Sequence, residues 1–243
     1  MDKLRICVFS DIHYIDQKPE WKVNRKLVEY AEPLTDKIID KVNYEIKPDV
    51  CINLGDMIQA SKNKEQDIKN LKHIWKKLQG FNVPFYTLIG NHELKAVESN
   101  REIMDILGYE NATYGIDMNG YHLLFVGTDT NPEDEKRRTQ YISDTDLEWI
   151  EQDLNSNKDK KVIVFSHFGV AEDDMKGNFY FEENIDGGML MNRDKLKAIL
   201  QKHNNILSVF CGHQHWTKTI RENGIPYYML GALTENMNMD RYS

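Results

Sequence analysis

The sequence predicts an α/β fold in which two mixed sheets pack together with helices outside. Three observations carry that prediction. Strand-like apolar runs alternate with helical patterns over most of the chain. Two Asn-Gly pairs, at 119–120 and 223–224, sit between apolar runs and mark hairpins among the strand–helix units. Finally, five apolar runs each end in residue types that bind metal: Arg5–Ser10 before Asp11-Ile12-His13, Asp49–Leu54 before Gly55-Asp56, Pro84–Ile89 before Gly90-Asn91-His92-Glu93, Lys161–Phe165 before Ser166-His167, and Ile206–Cys211 before Gly212-His213-Gln214-His215. Core packing does not explain such a set. Strands that deliver ligands to one sheet edge do, since open α/β folds place their sites there.

The elements follow in order. After the first strand, Trp21–Ile46 is mainly helical, with an apolar stripe at Leu27, Ala31, Leu34, Ile38, Ile39 and Val42 and an expected interruption near Pro33. The second strand leads to a helix over Glu65–Leu78, whose stripe is Ile68, Leu71, Ile74, Trp75 and Leu78. The third strand ends at Gly90, and a short helix covers Ser99–Leu107. Thr113–Asp117 and Tyr121–Thr128 form a hairpin, and Ser143 or Asp144 caps a helix through Leu154. A strand at Lys161–Phe165, a helix at Asn192–Lys202 capped by Asn192, the strand Ile206–Cys211 and a hairpin of Thr217–Arg221 with Ile225–Leu230 complete the chain. No Pro-, Gly- or Ser-rich linker or repeat divides it, so residues 1–243 read as one domain. Ala171–Leu190 stands apart. It carries Phe179, Tyr180 and Phe181 among acidic residues and reads as an inserted loop beside the site, either a lid or substrate wall or else a dimer contact or plain surface loop. The end of the chain, Glu235–Ser243, is rich in Met and Asn, and the expectation there is either a domain that is short at this end or one whose closing strand is missing.

The chain has 243 residues and a formal net charge of −8, which disfavours nonspecific binding to nucleic acid or an anionic membrane. Bound cations would reverse the sign locally, so an anionic substrate is still compatible. Met1-Asp2-Lys3-Leu4 runs straight into the first strand without an apolar leader, and no stretch has the length to span a bilayer. Cys7, Cys51 and Cys211 all lie inside apolar strand runs, an odd set that suits reduced thiols and a cytoplasmic location.

Asp11 and His13 are two residues apart, as are His213 and His215, and at a strand end such pairs point the same way. Each pair can hold one ion from one side. Asp56 follows its glycine directly and can reach between them; a carboxylate bridges two ions where an imidazole does not. Asn91 adds a neutral oxygen. This inventory of oxygen and nitrogen donors suits Mn, Fe or Zn better than a closed structural zinc site. Two such ions about 3.5–4 Å apart can acidify a water and clamp a phosphoryl group.

The ordered set Asp-x-His, Gly-Asp, Gly-Asn-His-Glu, His and Gly-His-x-His, from Asp11 to His215, resembles the calcineurin-like metallophosphoesterase superfamily. The resemblance implies a four-layer α/β/β/α sandwich with a dinuclear metal site at the strand ends. By matching position it assigns Asp11, His13, Asp56 and His215 to one divalent ion and Asp56, Asn91, His167 and His213 to the other. Asp56 and a water or hydroxide would bridge the two. His92 matches the histidine that is not a ligand and would stabilise developing charge or protonate the leaving oxygen. Glu93 stands where Asp is more frequent and is expected to position the loop or His92. Phe168 follows His167 where His-x-Pro is common, which bears on the loop shape rather than the ligand.

The expected activity is hydrolysis of P–O bonds in small phosphodiester or pyrophosphate substrates, a nucleotide among the candidates. Spacing resembles the cyclic-nucleotide phosphodiesterase-like branch, and Asp-x-His-Tyr with Gly-Asn-His-Glu also resembles the ADP-ribose/CDP-alcohol pyrophosphatase branch. The alternatives are a phosphomonoesterase or protein phosphatase, and a metal-binding scaffold without catalysis; a nuclease of the break-repair type ranks low because the basic surface is missing. Tyr14, Phe168 and Trp216 flank the motifs and are candidate substrate contacts, although packing over the sheet end is the favoured reading for Tyr14 and Trp216. His73, His122 and His203 lie outside the motifs and are expected to pack or face solvent. Asp117, Asp129 and Asp174 read as isolated, solvated carboxylates.

Overall fold

A computed structural model describes residues 3–17, 25–61, 63–97, 100–130 and 140–235. The predicted positions 21–24, Ser99 and the end of the tail, 236–243, lie outside these residues. In the first half, β1 (Ile6–Phe9), β2 (Val50–Asn53) and β3 (Phe85–Thr87) form a parallel three-stranded sheet. Between them run α1 (Ala31–Asp40) and α2 (Lys64–Leu78), and after them α3 (Asn91–Ala96) and α4 (Asn100–Leu107). The second half builds a six-stranded mixed sheet. Its strands are β4 (Tyr114–Met118), β5 (Tyr121–Val126), β8 (Lys161–Ser166), β9 (Ile206–Cys211), β10 (Lys218–Glu222) and β11 (Ile225–Met229), in the order β10-β11-β9-β8-β5-β4. Helices α5 (Asp144–Ser156) and α6 (Arg193–Leu200) provide crossovers, and a small antiparallel pair joins β6 (Asp129–Thr130) to β7 (Gln140–Tyr141).

Side-chain alternation along the strands sorts the core into three apolar layers, which is what makes four layers of structure. Val50 and Ile52 of β2 meet Leu123, Phe125, Ile163 and Phe165 of β5 and β8 between the sheets. The alternate positions Leu124, Val126, Val162 and Val164 face Leu147, Ile150, Leu154, Leu196 and Leu200 of α5 and α6. On the outer side of the small sheet, Phe9 and Cys51 pack on Leu71, Ile74 and Leu78 of α2 and on Ile103 and Leu107 of α4. The expected two-sheet sandwich is therefore present, with one difference: the small sheet is parallel throughout, because both hairpins fall in the large one.

Several elements depart from their expected bounds. Pro33 does not interrupt α1; it sits in the first turn, where a helix has no bond for the missing N–H to lose. The helix continues into wider π winding over Lys41–Ile46 and stops at Lys47, which has a φ of 47°. Leu27 lies in the turn before the helix and is exposed, and Val28 is buried in its place. Ser143 caps α5 as expected, accepting from Asp146 N at 3.0 Å. Asn192 precedes α6 but does not cap it through its side chain, which instead pairs with both backbone groups of Ile142 at 2.9 and 2.8 Å. The cysteines are free, and Cys7 faces Cys51 in register across β1 and β2. Among the described residues no helix is long and apolar enough to cross a membrane.

Candidate metal centre

All five motif junctions lie just past the C-terminal ends of parallel strands, β1, β2, β3, β8 and β9, at one rim of the sandwich. The local route is not the expected one. β1 ends at Phe9, so Asp11 and His13 are beyond the strand and do not inherit its alternation. Asp11, His13, Asp56, His213 and His215 have φ of 57°, 52°, 52°, 65° and 54°, the left-handed region that non-glycine residues seldom occupy. A ladder between the loops holds them there: Asp11 N donates to Gly55 O at 3.1 Å, His13 N to Asp56 O at 3.0 Å and Tyr14 N to Met57 O at 2.9 Å. The i and i+2 side chains converge because left-handed residues alternate with Ile12 and Gln214, not because a strand continues.

Two donor groups result. Asp11, His13 and His215 form one, and Asp56, His167 and His213 the other; His13 and Asp56, one from each, also come together with His92 in a third such cluster. In the first, His13 Nε2 is 2.9 Å from His215 Nε2, and Asp11 Oδ1 is 3.3 Å from His215 Nε2 and 3.7 Å from His13 Nε2. In the second, His167 Nε2 is 3.5 Å from Asp56 Oδ1 and 3.3 Å from Asn91 Oδ1. The other oxygen of Asp56, Oδ2, is 3.9 Å from His13 Nε2, so the carboxylate faces both groups. Ligand bonds of about 2.0–2.2 Å place neighbouring donors about 3–3.5 Å apart, and the spacings within the two groups, from 2.9 to 3.7 Å, straddle that range.

The outer partners fit the same reading. A metal-ligating histidine usually donates its second N–H to a carboxylate or carbonyl. His215 Nδ1 lies 2.9 Å from Glu235 Oε2, His167 Nδ1 2.8 Å from Leu54 O, and His213 Nε2 2.9 Å from Gly187 O. Asp11 Oδ1 and His13 Nδ1 are buried without a hydrogen-bond partner, and for Asp11 that leaves a charged oxygen aimed at the first group. Burial pushes the Asp56 carboxyl up, but the charge of His167 and its hydrogen bond to the carboxylate lead the effects that outweigh it and hold it well below the usual carboxylate range. His167 shows the reverse balance: burial opposes its charge, yet Asp56 holds it at about 9. Burial and the His167 charge push His213 down to about 3. The residues present thus fit two cations.

Glu93 takes the loop-positioning role. Its buried carboxylate accepts from Gly90 N, Asp56 N and Ile58 N at 2.8, 3.0 and 3.0 Å. Burial and the Asp56 charge raise its carboxyl to about 7. Gly90 has no Cβ because one would lie 2.2 Å from Asp56 Oδ1. His92 N donates to Asp56 Oδ1 at 2.8 Å, and His92 Nδ1 accepts from Ala60 N at 3.0 Å, so a neutral His92 ring carries its proton on Nε2. That nitrogen is 3.9 Å from Asp56 Oδ2.

Beside the donors lies a cavity of about 340 Å³, whose lining includes Asp56, Asn91, His92, His213 and His215. Phe168 lines it and lies 4.4 Å from the His213 ring. Tyr180, Phe181, Asn184, Asp186, Gly187 and Met189 bring the 171–190 segment to its wall. Tyr14 is not part of the lining; it is buried and stacks on His73 at 4.9 Å. Trp216 is outside it as well, under Lys218. Two contributors escaped sequence reading. Glu235 sits in an unpatterned tail, and its bonds from His215, Tyr180 and Arg25 reveal it. Lys26 had been absorbed into a helical stretch, yet its amine reaches the cavity 3.4 Å from His92 Nε2 and 3.3 Å from Gln59 Oε1.

A family model described as calcineurin-like phosphoesterase matches residues 4–217. The chain belongs to that family. Among curated relatives, a probable glycerophosphodiester phosphodiesterase GpdQ from Arcobacter nitrofigilis is 28% identical over 89% of this chain and 73% of its own length. A manganese-dependent ADP-ribose/CDP-alcohol diphosphatase from Arabidopsis thaliana is 26% identical over 68% of this chain and 64% of its own. The fold is shared with a dimetal phosphatase from Danio rerio, at a TM-score of 0.75 and 15% identity over 96% of this chain and 88% of that one. As a calcineurin-like phosphoesterase, the chain is a hydrolase of phosphoric esters with Asp and His groups placed to bind metal.

Proposed function

We propose that the chain hydrolyses P–O bonds in small phosphodiesters or pyrophosphates. In this reading Asp11, His13, Asp56 and His215 hold one divalent cation, and Asp56, Asn91, His167 and His213 hold a second. The observation that carries it is the Asp56 carboxylate, with one oxygen toward each histidine group. Mn, Fe or Zn bound there would supply Lewis acidity and a water acidified toward neutral pH. The residues of the chain do the rest. Asp56 stays ionised across the working range. Ala60 fixes the His92 tautomer, so that Nε2–H can donate to the oxygen where charge develops as the P–O bond breaks. Phe168, Tyr180 and Phe181 offer aromatic surface to an organic group, and Tyr14 and Trp216 have no part in this reading. The names of the two relatives support a phosphorus with two substituents, since a glycerophosphodiester and a CDP-alcohol both have one.

The test is turnover with Mn²⁺ on bis(p-nitrophenyl) phosphate against p-nitrophenyl phosphate. Faster diester cleavage is expected. Much faster monoester cleavage would replace the diester reading with a phosphomonoesterase, and no cleavage of either by metal-loaded protein would leave a metal-binding scaffold.

A further inference from the structure

The 171–190 segment grips the loop that carries His213 and His215 at each residue after Gly212. The Gly187 carbonyl accepts from His213 Nε2 at 2.9 Å, which leaves the lone pair of a neutral ring on Nδ1. The Asn178 amide donates to Gln214 O at 3.0 Å, and the Gln214 amide donates to Gly188 O at 3.2 Å. His215 is reached through Glu235, which accepts from His215 Nδ1 at 2.9 Å and from the Tyr180 hydroxyl at 3.1 and 3.0 Å, one distance to each oxygen. Asn178 knots the segment on itself as well: it is buried, and its Oδ1 accepts from Tyr180 N at 3.0 Å and from Phe181 N at 3.2 Å. These bonds bear on a loop with left-handed φ at His213 and His215, 65° and 54°, a conformation that neighbours must hold in place.

We infer that the 171–190 segment is the outer brace of the cation ligands rather than a lid, and that Tyr180 is a positioning residue whose hydroxyl fixes Glu235 against His215. This rests on the reading above in which His213 and His215 each hold a cation. A lid that swung open would strip His213 of the partner of its second nitrogen and release Gln214 between the two ligands. Tyr180, Phe181 and Asp186 of the same segment also line the cavity, so one element serves as cavity wall and as brace. Arg25 Nε donates to Glu235 Oε1 at 3.2 Å, so the carboxylate is still partly held without the Tyr180 hydroxyl. The effect of removing that hydroxyl is accordingly that of one hydrogen bond, passed on to one of the two cations.

The experiment titrates metal-free full-length protein with Mn²⁺ and reads the free ion by electron paramagnetic resonance, for wild type, Tyr180→Phe, Glu235→Ala, the double variant and Asn178→Ala. Melting in EDTA is measured alongside. Tyr180→Phe should raise one of the two Kd values by about 2- to 10-fold, the effect of a single net hydrogen bond, and leave the other Kd and the melting in EDTA as in wild type. In the Glu235→Ala background the same substitution should change nothing further, since the relay is already cut. Asn178→Ala, which loosens the loop between the ligands, should weaken both ions. Equal weakening of both ions by Tyr180→Phe with a lower melting temperature in EDTA would make the hydroxyl a general packing contact. That result, a full additional loss in the Glu235→Ala background, or folded Tyr180→Phe and Asn178→Ala proteins that bind Mn²⁺ like wild type would each overturn the inference and leave the cation reading standing. A wild type that takes up no Mn²⁺ would overturn both.

Discussion

At the scale of single residues, the site separates groups that would hold cations from groups that act on the substrate or brace the holders. His92 belongs to the second kind. His92→Ala should keep its metal content, measured by elemental analysis, and lose about 10²–10⁴-fold in kcat; turnover like wild type would remove His92 from the chemistry. Glu235 braces His215 and is itself held by the Tyr180 hydroxyl at 3.0 and 3.1 Å. Glu235→Ala should weaken Mn²⁺ affinity by about 10- to 100-fold in a chelator competition, the usual cost of losing such a partner. Gly90→Ala forces a methyl group against the Asp56 carboxylate and backbone, at 2.2 and 2.4 Å. It should cost about 1–3 kcal/mol in denaturant unfolding and lower metal occupancy together with stability. The ligand-type residues were legible in the sequence because each follows an apolar run. Glu235 and Lys26 were not, because a lone charge in a tail or a helix face looks like any solvated one until the fold brings it to the cavity.

At the scale of elements, β4, β5 and α5 are joined by a buried histidine. His122 on β5 lies 2.9 Å from Asp117 on β4 and 2.7 Å from Asp153 on α5, and Lys160 also pairs with Asp117. The expectation that Asp117 is isolated therefore fails, since register across the hairpin sets it opposite His122. Burial lowers the imidazole, but the bonds to Asp153 and Asp117 outweigh it and raise the ring above its ordinary value of 6.5. A raised folded value means that the stabilisation is complete below about pH 6.5 and is lost as pH rises through the folded value. On the acid side, Lys160 and His122 hold Asp117 below its ordinary value of 3.8, so its share persists down to that range. The Tm difference between wild type and His122→Gln should thus be largest near pH 5–6 and shrink above pH 7; a difference that grows with pH would refute the clamp. Periodicity identified the long helices and the strands well, because burial repeats along them. It missed α3, whose six residues are too few to show a period, and it predicted a break at Pro33 where the chain in fact begins a helix.

For the whole molecule, the rim where five loops meet joins the two sheets, since β1, β2 and β3 supply Asp11, His13, Asp56 and Asn91 while β8 and β9 supply His167, His213 and His215. A cation bound there ties the halves together in the folded state alone. Mn²⁺ at a hundredfold excess over Kd should add about 2.7 kcal/mol per site. For a chain of this size that raises Tm by about 5–10 °C, reversed by EDTA in calorimetry. The sandwich itself was readable from alternation, because β2, β5 and β8 each carry apolar residues on both faces and so must be covered on both. The means of convergence was not readable: side-chain identity says nothing of φ, and the sequence alone suggested a continued strand at Asp11 and His13. That left-handed winding has a consequence for substitution. Glycine adopts such a φ freely, so replacing Asp11, His13, Asp56, His213 or His215 by glycine would take away the donor and leave the bend easy to make, and binding could be lost with the fold kept.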